Sequence, residues 1–249
     1  MGISLSDSRD YFTDVAFGLI NGHRRVITRG NNPDVDAAED VWSGGGDYPW
    51  MTAATSLEVV SDSAADAAAG TGARTVLVRG LNAAYQEISS TVTLNGLAAV
   101  AVGQQFFRIN NVDITSAGSG KINAGNINVR DAGGGTVRAI VPAGYGTDRQ
   151  SQFTVPAGHS FAIHQTGYSI NRPSSVRDAA AALYVGSPDG FYRLLTETSV
   201  DGEALLFPRI VPFVAPEKTD LGIRCTSVST TNTDLTAFIV GILKSNTVL

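Results

Sequence analysis

The sequence predicts an all-β protein: antiparallel β-sandwich or jelly-roll-like modules preceded by an extended N-terminal arm. Three observations carry that expectation. From about residue 56 onward, short runs of branched residues recur between turn signals, at the spacing of about 8–15 residues typical of sandwiches and barrels. Proline and glycine punctuate those runs, twice as the same Val-Pro-Ala-Gly tetrapeptide. Ahead of them lies a stretch of different character, loop-forming yet carrying both tryptophans, Trp42 and Trp50. On this basis residues 1–55 are assigned to a docking arm, 56–150 to a first β domain and 151–249 to a second β-sandwich domain.

In the arm, the run from Tyr11 to Ile20 fits a helix (Tyr11, Val15, Leu19) and an alternating strand (Tyr11, Val15, Phe17, Leu19) equally well, and periodicity does not separate the two. Gly30-Asn31-Asn32-Pro33-Asp34 and Ser43-Gly44-Gly45-Gly46-Asp47-Tyr48-Pro49-Trp50 come next. A plain flexible linker has no use for two indoles, whereas an arm that docks on another surface does, because Trp gives large contact area with few rotatable bonds. Trp42, Tyr48 and Trp50 are therefore the expected anchors.

In the first β domain, Leu57-Glu58-Val59-Val60, Arg74-Thr75-Val76-Leu77-Val78 and Ile88-Ser89-Ser90-Thr91-Val92-Thr93-Leu94 read as strands. Asn95-Gly96 then suits a type I′ hairpin turn, which needs positive φ at both central residues. Phe106-Phe107-Arg108-Ile109, Asn126-Ile127-Asn128-Val129-Arg130 and Thr136-Val137-Arg138-Ala139-Ile140-Val141 continue the series. Each Val-Pro-Ala-Gly, at 141–144 and 155–158, reads as a strand ending in a tight turn, with proline setting φ and glycine taking the positive value.

In the second domain, Phe161 and Ile163 are expected on one face of a strand, with Ser160, Ala162 and His164 on the other. The run from Ala179 to Val185 has helical propensity, but its flank Ser187-Pro188-Asp189-Gly190 suits a hairpin into Phe191-Tyr192-Arg193-Leu194-Leu195. The run from Leu205 to Pro216 is too apolar for an exposed loop, and prolines at 208, 212 and 216 bar it from the middle of a sheet. It is read as an extended edge segment, packed either on its own chain or over a neighbour's edge, the latter through Phe207, Ile210 and Phe213. Leu221 to Val228 and Leu235 to Leu243 read as a final hairpin.

The residues name no chemistry. Cys225 is the only cysteine and lies in an alternating run, so a buried structural thiol is expected. His23, His159 and His164 lack the HxH pair and Glu that a cupin-type metal site needs, and are read as solvated turn and strand residues. Ser116-Ala117-Gly118-Ser119-Gly120-Lys121 is rejected as a phosphate loop, since Thr115 stands where the first glycine belongs and Ile122 where Ser or Thr binds magnesium. Asp34, Asp36, Asp40 and Asp47, and Asp62 and Asp66 beside Gly70 and Gly72, have no EF-hand spacing and read as turn caps. No catalytic residue, cofactor or metal is expected. A net charge of −5 opposes a nucleic-acid partner. The chain has no apolar run of the roughly 20 residues that span a bilayer, and Met1 to Asp7 carries no signal-peptide pattern. Fifteen of the eighteen basic residues are Arg, which fits either interface enrichment or a GC-rich genome.

The stretch Asp47-Tyr48-Pro49-Trp50 through Ala64-Ala65-Asp66-Ala67-Ala68-Ala69-Gly70-Thr71-Gly72-Ala73-Arg74 to Leu81 resembles a family of virion structural proteins of tailed, often marine, bacteriophages. Thr91-Val92-Thr93-Leu94-Asn95-Gly96, Val155-Pro156-Ala157-Gly158 and Lys218-Thr219-Asp220 fit the same likeness. The resemblance implies a non-enzymatic particle component assembled in the host cytoplasm, foremost a capsid decoration or cement protein. Its expected partners are the major capsid protein or other virion proteins and further copies of itself, as a homotrimer. A tail adaptor, fibre base or baseplate part is the alternative within that class, and a carbohydrate-binding receptor-recognition sandwich the alternative outside it.

Overall fold

The computed structural model describes residues 10–171, 178–186, 191–201 and 204–247. Its first element decides what periodicity left open. The Asp10 carboxylate accepts from the Thr13 backbone N–H at 3.2 Å and from the Thr13 hydroxyl at 2.7 Å. An acceptor for an orphan first-turn N–H favours helix, and Tyr11–Ala16 forms α1, burying Val15.

Among the described residues every other regular element is a strand. β1 (His23–Val35) precedes β2 (Thr55–Ser61), β3 (Ala73–Leu81), β4 (Glu87–Thr93), β5 (Val100–Phe106), β6 (Arg108–Ala117), β7 (Ile127–Asp131) and β8 (Val137–Val141). Then come β9 (Phe153–Thr154), β10 (His159–Asn171), β11 (Ala179–Gly186), β12 (Tyr192–Val200), β13 (Leu205–Ala215), β14 (Asp220–Val228) and β15 (Thr233–Ser245). The pairings are antiparallel throughout.

The strands make two sandwiches. In the smaller, β5-β2-β7-β8 faces β4-β3-β6 around Leu57, Val59, Val76, Val78, Phe106, Ile127 and Val129. In the larger, β1-β15-β10-β13 faces β12-β11-β14-β9 around Phe161, Ile163, Leu183, Leu221, Ile223, Leu235 and Ile239. Strict alternation produces this: Phe161 and Ile163 are buried while Ser160, Ala162 and His164 are half-exposed. Each fully buried side chain of this size contributes about 1.5–3 kcal/mol relative to exposure.

Three sequence expectations change. Beyond residue 22 the arm is no arm: β1 pairs with β15 from His23↔Lys244 to Val35↔Thr233, and bridges at Asp40↔Arg224 and Trp42↔Gln150 tie down the chain after β1. The final hairpin does not form, because β14 and β15 each bury one face against the other and so lie in opposite sheets of one core. Asn95-Gly96 is not a type I′ turn; Gly96 alone has positive φ (59°), and the chain there passes from β4 to β5 in the other sheet. The 187–190 turn lies outside the described residues, although β11 and β12 pair antiparallel as expected.

Other expectations hold. Gly144 and Gly158 take positive φ (76° and 72°) after their Val-Pro-Ala runs. The Tyr145 N–H donates to Pro142 O at 3.1 Å and the His159 N–H to Pro156 O at 3.2 Å. The loop pair Asp62 and Asp66 caps as read: Asp62 accepts from the Asn126 N–H at 2.8 Å, and buried Asp66 accepts from Ser61 Oγ and from the backbone N–H groups of Ala73, Ala124 and Gly125, at 2.7–2.9 Å. Gly72 is required beside it, because a Cβ there would lie 2.1 Å from Asp66 Oδ1.

Arg108 of β6 joins the two sandwiches. Its Nε and Nη2 donate to Asp220 of β14 at 2.9 and 2.8 Å, and Nη1 donates to the carbonyls of Met51 and Phe107, both at 2.8 Å. The guanidinium lies 4.0 Å from the Phe107 ring centroid, 5.1 Å from Trp50 and 6.0 Å from Tyr85. Thr154 Oγ1 of β9 donates to the same Asp220 at 2.5 Å. A fork of this kind matches a carboxylate as an ammonium cannot.

Arg108→Ala takes the fork from the part-buried Asp220 carboxylate and is expected to cost about 3 kcal/mol in denaturant unfolding. Arg108→Ala combined with Asp220→Ala should cost less than the sum of the two single variants, a coupling that a double-mutant cycle measures.

Asp148 supplies a pH dependence. Its buried carboxyl accepts from the Val112 N–H at 3.0 Å and Asn111 Nδ2 at 3.1 Å, yet burial outweighs both and pushes it up to about 7. The folded chain therefore holds a proton that the unfolded chain releases above its ordinary value of 3.8. Stability falls as pH rises through that interval, because there the folded state binds more protons. The thermal midpoint should be higher at pH 5 than at pH 8, and Asp148→Asn should flatten that difference and raise the midpoint at pH 8.

Candidate assembly surface and aromatic cleft

The expected anchors divide. Trp42 is 5% exposed, and its Nε1 donates to Gly46 O at 3.2 Å. The indole lies against Gly44 so closely that a Cβ there would sit 2.1 Å from the ring. The glycine run is thus a cover folded over its own tryptophan. Tyr48, 6% exposed, packs edge-on between Trp42 and Trp50, with centroids 5.2 and 4.8 Å apart. Its hydroxyl donates to Arg138 O at 3.0 Å and its N–H to Asp40 Oδ2 at 2.7 Å. Trp42 and Tyr48 therefore anchor residues 40–50 to their own chain and are closed to any other, which corrects their expected role. Trp50 is half-buried.

The 205–216 segment behaves as proline demands. β13 is an edge strand beside β10, and its pairing jumps from Phe213↔Ile163 to Pro208↔Gln165. Residues 209–212 are looped out of the ladder, so Ile210 is 102% exposed and Val211 82%. Phe207 is exposed and packs edge-on to Tyr168 at 5.8 Å, while Phe213 and Leu205 lean on the core. The segment thus packs one side on its own chain and leaves the other exposed. Leu206 and Val214 are exposed as well, and so is Leu195 on β12, the edge of the facing sheet. Arg209 Nη2 donates to Thr196 Oγ1 at 3.5 Å, linking the two edges. The sequence reading missed the β12 contribution; its signal was a near-continuous apolar run, 191–195, that one buried face cannot absorb.

On the outer face of the sheet β12-β11-β14-β9 lies a cleft of about 310 Å³, lined by Trp50, Tyr184, Tyr192, Leu194, Asp40, Asp47 and Arg224. The Tyr184 and Tyr192 rings meet edge-on at 5.5 Å. Arg224 Nη1 lies 2.6 Å from Asp47 and 3.5 Å from Asp40, and Nη2 donates to Ala38 O at 2.8 Å. Burial pushes the Asp40 carboxyl up to about 6 against the pull of the Tyr48 N–H and Arg224. These residues come from three distant stretches, which no local pattern connects.

Elsewhere, burial pushes the Cys225 thiol up to about 11, the state of an unreactive core residue. His164 packs edge-on to Phe12 at 5.0 Å, and His159 Nδ1 bonds Ala157 O at 3.0 Å. Among the described residues no three His, Cys, Asp or Glu side chains are placed to hold a metal, and no helix is long and apolar enough to cross a membrane.

No protein-family model matches the chain, and no curated protein does. Solved structures do. The structure of the infectious bursal disease virus Gx strain aligns over 91% of this chain and 73% of that chain, with 12% identity and a TM-score of 0.27. The crystal structure of the infectious bursal disease virus VP2 subviral particle aligns over 91% and 72%, with 11% identity and a TM-score of 0.25. Likeness of this degree is too slight to assign the chain to a family.

Gly44→Ala drives a methyl into the Trp42 indole and is expected to cost about 1–3 kcal/mol, as overpacking does. Thermal unfolding monitored by tryptophan fluorescence checks it.

Proposed function

We propose that this chain is a non-enzymatic structural protein of a virus particle, acting by burying the β12–β13 flank against further copies of itself. The observation that carries the reading is that flank on a sandwich of a particular strand order. Counted one to eight along the chain, β1 and β9 to β15 lie 1-8-3-6 in one sheet and 5-4-7-2 in the other. That order supports a jelly roll, an arrangement used by viral capsid domains, lectins and cupins. The smaller sandwich is then an insertion between the first and second of the eight strands.

The flank argues for assembly. Monomers rarely expose contiguous apolar patches beyond a few hundred Å², and a bare edge strand invites pairing unless it is blunted or covered. Here Pro208, Pro212 and the looped-out residues block ladder formation, so the partner must be met by side chains. A second copy offers the same apolar surface, and three copies related by rotation close a trimer. Within this class the role is that of a head decoration or cement protein of a tailed bacteriophage. The exposed Tyr11, Phe12, Phe17 and Leu19 in and after α1 supply its contact to the major capsid protein.

Sedimentation velocity of the purified protein at micromolar concentration tests the reading. A trimer is expected, and Ile210→Asp with Val211→Asp should weaken it by more than about tenfold, given hot-spot costs of about 2 kcal/mol or more. A wild-type monomer would overturn it.

A further inference from the structure

We propose that the cleft between residues 40–50 and the outer face of the sheet β12-β11-β14-β9 binds a neutral hexopyranose, such as the terminal unit of a surface glycan. The site stands apart from the assembly flank: Tyr192 and Leu194 line the cleft, whereas Leu195, Leu206, Phe207, Ile210, Val211 and Val214 make the flank.

The walls suit the apolar faces of a pyranose ring. Trp50, Tyr184 and Tyr192 present aromatic surface, and two of them are held from behind. Arg108 and Tyr48 hold the Trp50 ring, at 5.1 and 4.8 Å, and Tyr184 lies across Gly222, where a Cβ would come within 2.8 Å of its hydroxyl. Preformed aromatic walls with a few placed polar groups are the usual make-up of a small-ligand site, and about 310 Å³ is at the small end of the range for such sites.

The rim suits the hydroxyls. A sugar hydroxyl both donates and accepts, so it needs an acceptor and a donor side by side. Asp47, 77% exposed, takes Arg224 Nη1 on its Oδ1, so a carboxylate acceptor and a guanidinium donor stand side by side at the rim.

Charge selects among ligands. One guanidinium bridging two carboxylates leaves the cleft slightly negative, which disfavours sialic acid and sulfated sugars. The same bridging neutralises most of the carboxylate field that a quaternary ammonium ion would need, so an aromatic cage for a cation is the weaker fit.

The test is saturation-transfer NMR on the full chain with the methyl glycosides of glucose, galactose, mannose and N-acetylglucosamine, alongside sialic acid and tetramethylammonium. Transfer to at least one methyl glycoside is expected, with none to sialic acid or tetramethylammonium. Tyr192→Ala and Asp47→Asn should each weaken it about tenfold, the effect of about 1.4 kcal/mol. Both positions are exposed, and an unchanged thermal midpoint and sedimentation profile will show that fold and assembly survive. The proposal is overturned if no methyl glycoside receives saturation, if binding is indifferent to both variants, or if tetramethylammonium alone binds.

Discussion

The guanidinium of Arg108, laid against Phe107 and Trp50 and forked onto Asp220, fixes how the two sandwiches sit together. A buried ion pair contributes little net stability when its desolvation is counted. Its effect is on geometry, because a planar fork on a carboxylate tolerates one mutual orientation. Trp50 is placed by this contact, and through Trp50 so is one wall of the cleft. Asp220 sits at the start of β14 and also accepts from Thr154, so β9, β14 and β6 meet at one carboxylate. The same region holds Asp148 inside the protein, its carboxyl pushed up to about 7 by burial.

Much of the fold was legible where a local rule has few ways to be satisfied. Alternation in 160–164 put Phe161 and Ile163 on one face, which is the buried one, and three prolines kept 205–216 at a sheet edge. The two Val-Pro-Ala-Gly turns needed only their own residues. What failed was pairing between strands. Leu221–Val228 and Leu235–Leu243 look like hairpin arms because each has one apolar face, and that property equally suits two strands facing across a core. Asn95-Gly96 allows a type I′ turn without demanding one, and the need to cross between sheets prevailed.

The site was legible only in part. Composition around the triple glycine did say that the indoles need a surface to lie on. It did not say whose, and for Trp42 the surface is Gly44, two residues away. Ile210 and Phe207 are exposed because apolar residues beside prolines have no sheet interior to enter. The cleft escaped notice because residues 40–50, 184–194 and 224 are joined only through the sheet order.

Pairing of β1 with β15 sets His23 beside Lys244, so the first strand waits for one made some two hundred residues later. On the ribosome the inserted sandwich, whose strands all pair within residues 55–141, can form while β1 is still unpaired. The larger sandwich closes only once β15 has emerged and slid between β1 and β10. A polypeptide cut short before β15 would lack the strand that divides them, and both would be left with open ladders. Only a chain that carries β15 can join β1 and β10 in one sheet.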